Sequence, residues 1–172
     1  AGTNAITFGG ETDMQPDLIW GKDTSGDRHF LADAVRGKTG TGYYLLASNS
    51  TASDTSNAPP DGITSIDSNG FTLGANTSNT NGGWSFEINE DKDNGQGNSG
   101  EYVAWCWKES ATAGFDIVAY TGTGSAKTES HSLSAVPHFI IVKNRTDADA
   151  WRIYHHKNTA APETDYLVLD TT

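Results

Sequence analysis

Short apolar runs alternate with polar turns along the whole chain, and no stretch sustains a helical period. The best helical candidate, Arg28 to Arg36, places Phe30, Leu31, Ala34 and Val35 at i, i+1, i+4 and i+5. That spacing is loose and has no cap, so an irregular segment or a short strand fits it equally well. Strand patterns are numerous. They cover Ala5 to Phe8, Leu18 to Lys22, His29 to Ala34, Tyr43 to Ala47, Ile63 to Ile66 and Phe71 to Leu73. Further patterns cover Trp84 to Ile88, Tyr102 to Lys108, Phe115 to Thr121, Phe139 to Lys143, Trp151 to His155 and Tyr166 to Leu169. Asp67-Ser68-Asn69-Gly70 separates two of them, and its Asn-Gly pair is a hairpin signal. In Tyr102 to Lys108, Tyr102, Ala104 and Cys106 alternate with Val103, Trp105 and Trp107. Apolar residues on both faces predict a central strand covered on both sides, with Val103, Trp105 and Cys106 deeply buried. Many short strands joined by polar turns predict an all-β fold, an antiparallel β-sandwich of the jelly-roll type.

The chain also nearly repeats itself. Pro16-Asp17-Leu18-Ile19-Trp20-Gly21-Lys22-Asp23 returns as Pro137-His138-Phe139-Ile140-Ile141-Val142-Lys143-Asn144. At the same offset Phe30 falls on Trp151 and Arg36 on Lys157. After a one-residue slip, Tyr44-Leu45-Leu46 falls on Tyr166-Leu167-Val168. The period is about 121 residues, and the second copy breaks off at Thr172, as in a piece cut from a longer array. Two readings stay open. Residues 1–136 form one sandwich repeat unit, and residues 137–172 either start a second copy or close the same sandwich. In either case Tyr166 to Leu169 is expected to pair with the first copy or with another chain, because an open apolar edge invites association.

Composition narrows the partners. The net charge is −11, which argues against nucleic acid, whose phosphates need a basic stripe, and disfavours an anionic membrane surface. No apolar run is long enough to span a membrane as a helix. Cys106 is the only cysteine, so no internal disulfide forms and packing must stabilise the fold. Its setting between two tryptophans predicts a buried, inert thiol.

Candidate chemistry is sparse. Glu87, Asn89 and Asp91 fall at i, i+2 and i+4, the spacing by which sandwich glucanases align carboxylates on one strand face. The middle residue is an amide, so a solvated strand end is the simpler reading and no catalytic residue is assigned. Asn89, Asp91, Asp93 and Asn94 offer clustered oxygen ligands, which makes calcium the one candidate cofactor; an unliganded acidic loop is the competing reading. The histidines show no zinc-ligand spacing. Trp84 follows the loop Asn79-Thr80-Asn81-Gly82-Gly83. A flat ring flanked by Asn79 and Asn81 suits stacking on a sugar, with the amides taking hydroxyls. Trp105 and Trp107 are expected to fill the core instead.

Several segments in this order carry a resemblance. They are Pro16 to Lys22, Asp33-Ala34-Val35-Arg36-Gly37, Ser68-Asn69-Gly70-Phe71-Thr72-Leu73-Gly74 and Tyr102-Val103-Ala104-Trp105-Cys106-Trp107-Lys108. Ile117-Val118-Ala119-Tyr120-Thr121-Gly122 and Pro137 to Arg145 follow. The series resembles the concanavalin A-like (LamG-like jelly-roll) repeat proteins of marine tailed bacteriophages. That resemblance implies a non-catalytic tail or fibre module, assembled in the host cytoplasm and carried in the virion. It implies other virion proteins as partners, host surface polysaccharide as a candidate ligand, and a homo-oligomer. A free carbohydrate-binding module and a degenerate sandwich glycosidase or lyase are the alternatives. The acidic loop Glu90 to Gly100 is longer than the pattern requires.

Overall fold

A computed structural model describes residues 2–24, 29–54, 62–75, 88–89 and 101–170. Among them there is no helix, and every strand pairing is antiparallel. The strands are β1 (Asn4–Thr7), β2 (Leu18–Asp23), β3 (His29–Asp33), β4 (Lys38–Thr39), β5 (Gly42–Tyr43) and β6 (Ile63–Asp67). They continue as β7 (Gly70–Leu73), β8 (Tyr102–Trp107), β9 (Phe139–Val142), β10 (Arg152–His155) and β11 (Leu167–Val168). Three three-stranded sheets result, ordered β1-β7-β6, β3-β2-β8 and β11-β10-β9, and β4-β5 form a small ribbon.

The first two sheets share one core, the arrangement of a β-sandwich. Ile19, Phe30 and Ala32 reach it from the β3-β2-β8 sheet, and Ile63, Phe71 and Leu73 from the β1-β7-β6 sheet. Leu45, Ala47 and Ile88 complete it. Alternation decides which residues arrive there: on β2, Ile19, Gly21 and Asp23 are buried while Leu18, Trp20 and Lys22 are half-exposed. Gly21 is opposite Phe30, and a Cβ on it would lie 1.9 Å from the ring's Cζ. The missing side chain is therefore what lets Phe30 lie flat across β2.

The Asn-Gly hairpin forms between β6 and β7, with Asp67 opposite Gly70 and Ser68–Asn69 at the tip. Gly70 supplies the positive φ of 134°, and a Cβ there would meet the Ile6 carbonyl oxygen at 1.9 Å. Asn69 anchors the neighbouring segment. Its Oδ1 accepts from the Met14 amide at 3.3 Å and its Nδ2 donates to the Phe8 carbonyl at 3.2 Å.

Asp33-Ala34-Val35-Arg36-Gly37 is a polar clasp at the end of β3. The Arg36 guanidinium pairs with Asp33, with Asp54 Oδ1 at 2.9 Å, and donates to the Leu31 carbonyl at 2.9 Å. Asp54 Oδ2 takes a second cation, Arg145 Nε, at 2.8 Å. The Asp33, Arg36 and Asp54 side chains are nearly fully buried. Removing one partner of such a network leaves an uncompensated charge and costs about 3–5 kcal/mol.

The Pro137 hairpin repeats the layout of the Pro16 hairpin. β9 is a strand as β2 is, and each pairs with the next strand in sequence, β10 and β3. Leu46 bridges Leu31 just as its counterpart Val168 pairs with Arg152. The registers differ by one residue: Leu18 faces Asp33, whereas Phe139 faces His155 rather than Tyr154. The hairpins meet through Trp151, which is buried against Leu31 and Leu46. Its indole Nε1 donates to the Ala47 and Ser50 carbonyls at 3.0 and 3.1 Å.

Three expectations need correction. β8 pairs only with β2 among the described strands, and Val103 and Trp105 are exposed while Cys106 is half-buried. The strand is apolar on both faces, and among the described residues only Cys106 of it packs against the main core. The last strand finds its partner in β10, inside its own hairpin, and not in the first copy. Phe115 to Thr121 runs outside the sheets, joined to the preceding segment by the single bridge Ser110–Phe115. A β-rich composition fits an extended loop as readily as a ladder strand, because only a neighbour with open hydrogen-bonding groups makes the difference.

Candidate functional site: the tryptophan face

The second face of the β3-β2-β8 sheet packs Leu31, Leu18 and Trp20 against Leu46, Trp151 and Leu169, and carries the exposed β8 tryptophans beside that cluster. Trp20 is opposite Trp105, Leu18 opposite Trp107 and Lys22 opposite Val103. Directly opposed residues of an antiparallel pair lie on the same face, so these six form one surface. Trp105 is 47% exposed and Trp107 37%. Trp20 is held in place: its Nε1 donates to His29 Nδ1 at 3.2 Å, and the rings meet edge to face at 6.1 Å. Burial and the nearby Lys22 lower the His29 pKa, which keeps the imidazole neutral and Nδ1 an acceptor.

Trp107 is extended by Phe115, whose ring lies 6.4 Å away at 28° to it. A tight turn with Gly114 at φ 70° and the Ser110–Phe115 bridge bring Phe115 back to the strand end. The same turn gathers carboxylates at the Trp107 end. Asp17 Oδ2 accepts from the Glu109 amide at 2.7 Å. Asp116 accepts from the Ser132 and Ile117 amides at 2.5 and 3.0 Å. Those backbone donors, the Ser132 amide first, hold the Asp116 pKa down. Glu109 is pushed up to about 7, chiefly because its side chain shares a hydrogen bond with Asp116, then by desolvation and by the charges of Asp116, Asp17 and Asp33. The result is an aromatic strip ending in a carboxyl, Glu109, whose pKa is raised by its neighbours. Aromatic planes stack on apolar sugar faces, and carboxyl groups take hydroxyls.

Trp84, Asn79 and Asn81 lie outside the described residues, as do Glu87, Asp91, Asp93 and Asn94. Asn89 is described: its Nδ2 donates to the Gly74 carbonyl at 2.7 Å and the Gly2 carbonyl at 3.0 Å. That amide ties the N-terminal segment to the end of β7. Among the described residues no group of three or more His, Cys, Asp or Glu side chains is placed to hold a metal ion. His138 and His156 stack at 4.0 Å with His155 beside them. The Cys106 thiol is pushed up to about 11 by burial, which leaves it protonated and unreactive at neutral pH.

Alternation in the sequence separates the two faces of β8 and predicts both covered, whereas Val103 and Trp105 are exposed and Cys106 is half-buried. Tyr102, Ala104 and Cys106 average smaller than Val103, Trp105 and Trp107, and of the six only Cys106 packs on the main core.

Over residues 1–172 the chain belongs to the family described as Domain of unknown function (DUF7483). No curated protein and no solved structure matches it.

Proposed function

We propose that this chain is a non-catalytic structural and adhesive module of a bacteriophage tail or fibre, a jelly-roll sandwich that holds surface glycans on its tryptophan face and works as a homo-oligomer. The phage assignment draws on the resemblance of the Pro16, Asp33, Tyr102 and Pro137 segments. The adhesive part draws on one observation: Trp105 and Trp107 stand exposed on the same sheet face as Trp20, with Phe115 extending the strip. A monomeric fold gains nothing by leaving two indoles in water, and contiguous exposed aromatic surface marks binding. Glycan-array screening followed by calorimetry tests it. Trp105→Ala should weaken a bound glycan roughly tenfold, equivalent to about 1.4 kcal/mol, with the fold intact. Binding that is unchanged in this variant would move the site elsewhere, and Trp84 with Asn79 and Asn81 is then the next location to test.

A degenerate sandwich glycosidase or lyase is the second reading, favoured only by Glu109, whose raised pKa suits a general acid. The backbone amides on Asp17 and Asp116 point instead to carboxylates that organise the turn. Turnover of any bound polysaccharide that disappears in Glu109→Gln would establish the enzyme.

A further inference from the structure

We infer that the base of the Pro137 hairpin is an acid-opened latch: the stacked imidazoles of His138 and His156, with His155 against them, hold the start of β9 to the end of β10 while neutral and release it once they take up protons. The latch is a regulatory device of this hairpin and does not rest on the glycan reading.

The two ends of the hairpin are held in different ways. At its tip, the turn between β9 and β10 is tied to residues 47–54. Lys143 Nζ donates to the Thr51 carbonyl at 3.0 Å, Arg145 Nε pairs with Asp54 at 2.8 Å, and the buried Trp151 indole donates to the Ala47 carbonyl. β11 covers only the half of β10 next to that tip, Arg152 and Ile153. At the base the chain enters at Pro137 and leaves at Lys157. There Tyr154 and His155 pair with Ile140 and Phe139 and with no other described strand. Phe139 and Ile140 are exposed, so no core clamps this end. Its outermost tie is the His156 amide donating to the His138 carbonyl at 3.0 Å, with three imidazoles around it. The His138 and His156 rings stack with centroids 4.0 Å apart and planes 5° from parallel. His155 meets His156 edge to face at 5.3 Å, and Phe139 packs on His155 at 6.3 Å.

Such a stack tolerates few protons. The groups whose charge bears on His156 are His138, His155 and Lys157; each is a cation or becomes one on protonation, and no described carboxylate is among them. Desolvation first, and then these neighbours, lower the His156 pKa below the ordinary imidazole value. His155 Nδ1 accepts from the Lys157 amide at 3.3 Å, a bond that is lost once that nitrogen carries a proton. One proton on the stack leaves an imidazolium over a neutral ring. A second sets two cations face to face, and like charges at that distance repel. Folded His156 holds its proton less tightly than the unfolded chain does. Its contribution to the hairpin is therefore fully present above the ordinary imidazole range and is lost as pH falls through the folded value. Residues 143–151 at the tip contain no histidine. Mild acid thus frays the base while the tip stays docked.

Hydrogen exchange by NMR on the full chain tests this, with rates converted to protection factors so that the intrinsic pH dependence of exchange cancels. Lowering the pH from about 7.5 to about 5 should cut protection of the His156 amide roughly tenfold, while the Trp151 indole N–H at the tip changes by less than about twofold. A local readout is needed because His29 on β3 also has a lowered pKa and adds to any whole-chain effect of acid. His156→Gln and His138→Gln each remove a titrating ring and should abolish most of the acid response of the amide at position 156. His138→Lys puts a fixed cation beside His156 and should lower that protection already at neutral pH. The His156 ring proton should titrate below the ordinary imidazole range in the wild type and move up in His138→Gln. A wild-type amide at position 156 that acid leaves protected would overturn the latch. So would an acid response that persists at full size in both glutamine variants, since carboxylates elsewhere would then be its source. An equal loss of protection at Trp151 would mean that acid unfolds the hairpin as a whole, and would overturn it too.

Discussion

The Pro16 and Pro137 hairpins start from nearly the same pattern of residues and end in opposite environments. In β2, Ile19 is fully buried and alternate residues face a shared core. In β9 the corresponding Ile140 is 42% exposed, and so are its neighbours on both faces. Local preference is the same in both, so each becomes a strand with an antiparallel partner. What differs is supply. β2 has a second sheet across the core and β8 at its edge, whereas β9 has only β10 beside it among the described strands. An apolar pattern thus specifies a strand that can be buried, and the neighbours decide whether it is.

Trp151 offers the sharpest test, because it is the buried contact between the hairpins. Trp151→Ala should destabilise the chain by about 3–5 kcal/mol, read from denaturant midpoints. Its aligned partner Phe30 lies in the main core, so a much smaller loss at Trp151 would mean that the Pro137 hairpin adds little to the stability of the rest.

Matched substitutions within the hairpins come next. Ile19→Ala should cost about 2–5 kcal/mol, while Ile140→Ala should stay near 0.5 kcal/mol in the monomer. Equal costs would mean that β9 is covered in solution. If that cost rises with protein concentration, a second copy supplies the cover.

Trp105→Ala separates the two faces of one sheet. Its ring stands outside the core, so thermal stability should fall by less than about 1 kcal/mol, even as glycan binding weakens. A core-sized loss would place β8 in the interior after all.

The smallest effect is one of pH. The folded Glu109 pKa of about 7 lies above its ordinary value, so between those two values the folded chain holds more proton than the unfolded chain. Its contribution to stability is therefore fully present below the ordinary carboxylate range and is lost as pH rises towards 7. Because Glu109 is only half-buried and solvent screens its interactions, the loss is modest. Carbon-detected NMR should follow its carboxyl to a midpoint near 7, and Asp116→Asn should lower that midpoint by removing the shared hydrogen bond and the neighbouring charge. A midpoint in the ordinary range for the wild type would dissolve the pair.

Much of the strand content was legible from the chain because period two and turn residues are local properties. The Asp67-Ser68-Asn69-Gly70 hairpin, β2, β3 and the related β9 and β10 all follow from apolar spacing and punctuation by proline and glycine. The Asp33 to Gly37 motif was also visible, as a likeness without a stated role. Its role needed Asp54 and Arg145, which come from distant segments. β8 marks the limit most clearly. Its alternation identified a strand and separated its two faces, but burial depends on which other elements arrive at each face. Cys106 meets the core because the β1-β7-β6 sheet lies across from it; on the opposite face Trp151 and Leu169 pack over Leu31, Leu18 and Trp20, and Trp105 lies outside that cluster. Sequence by itself determined where the chain extends and turns, since backbone sterics and side-chain periodicity act over a few residues. Tertiary structure alone decided which apolar faces are closed, which edges stay open and where the aromatic strip stands, since those depend on contacts between residues far apart in the chain.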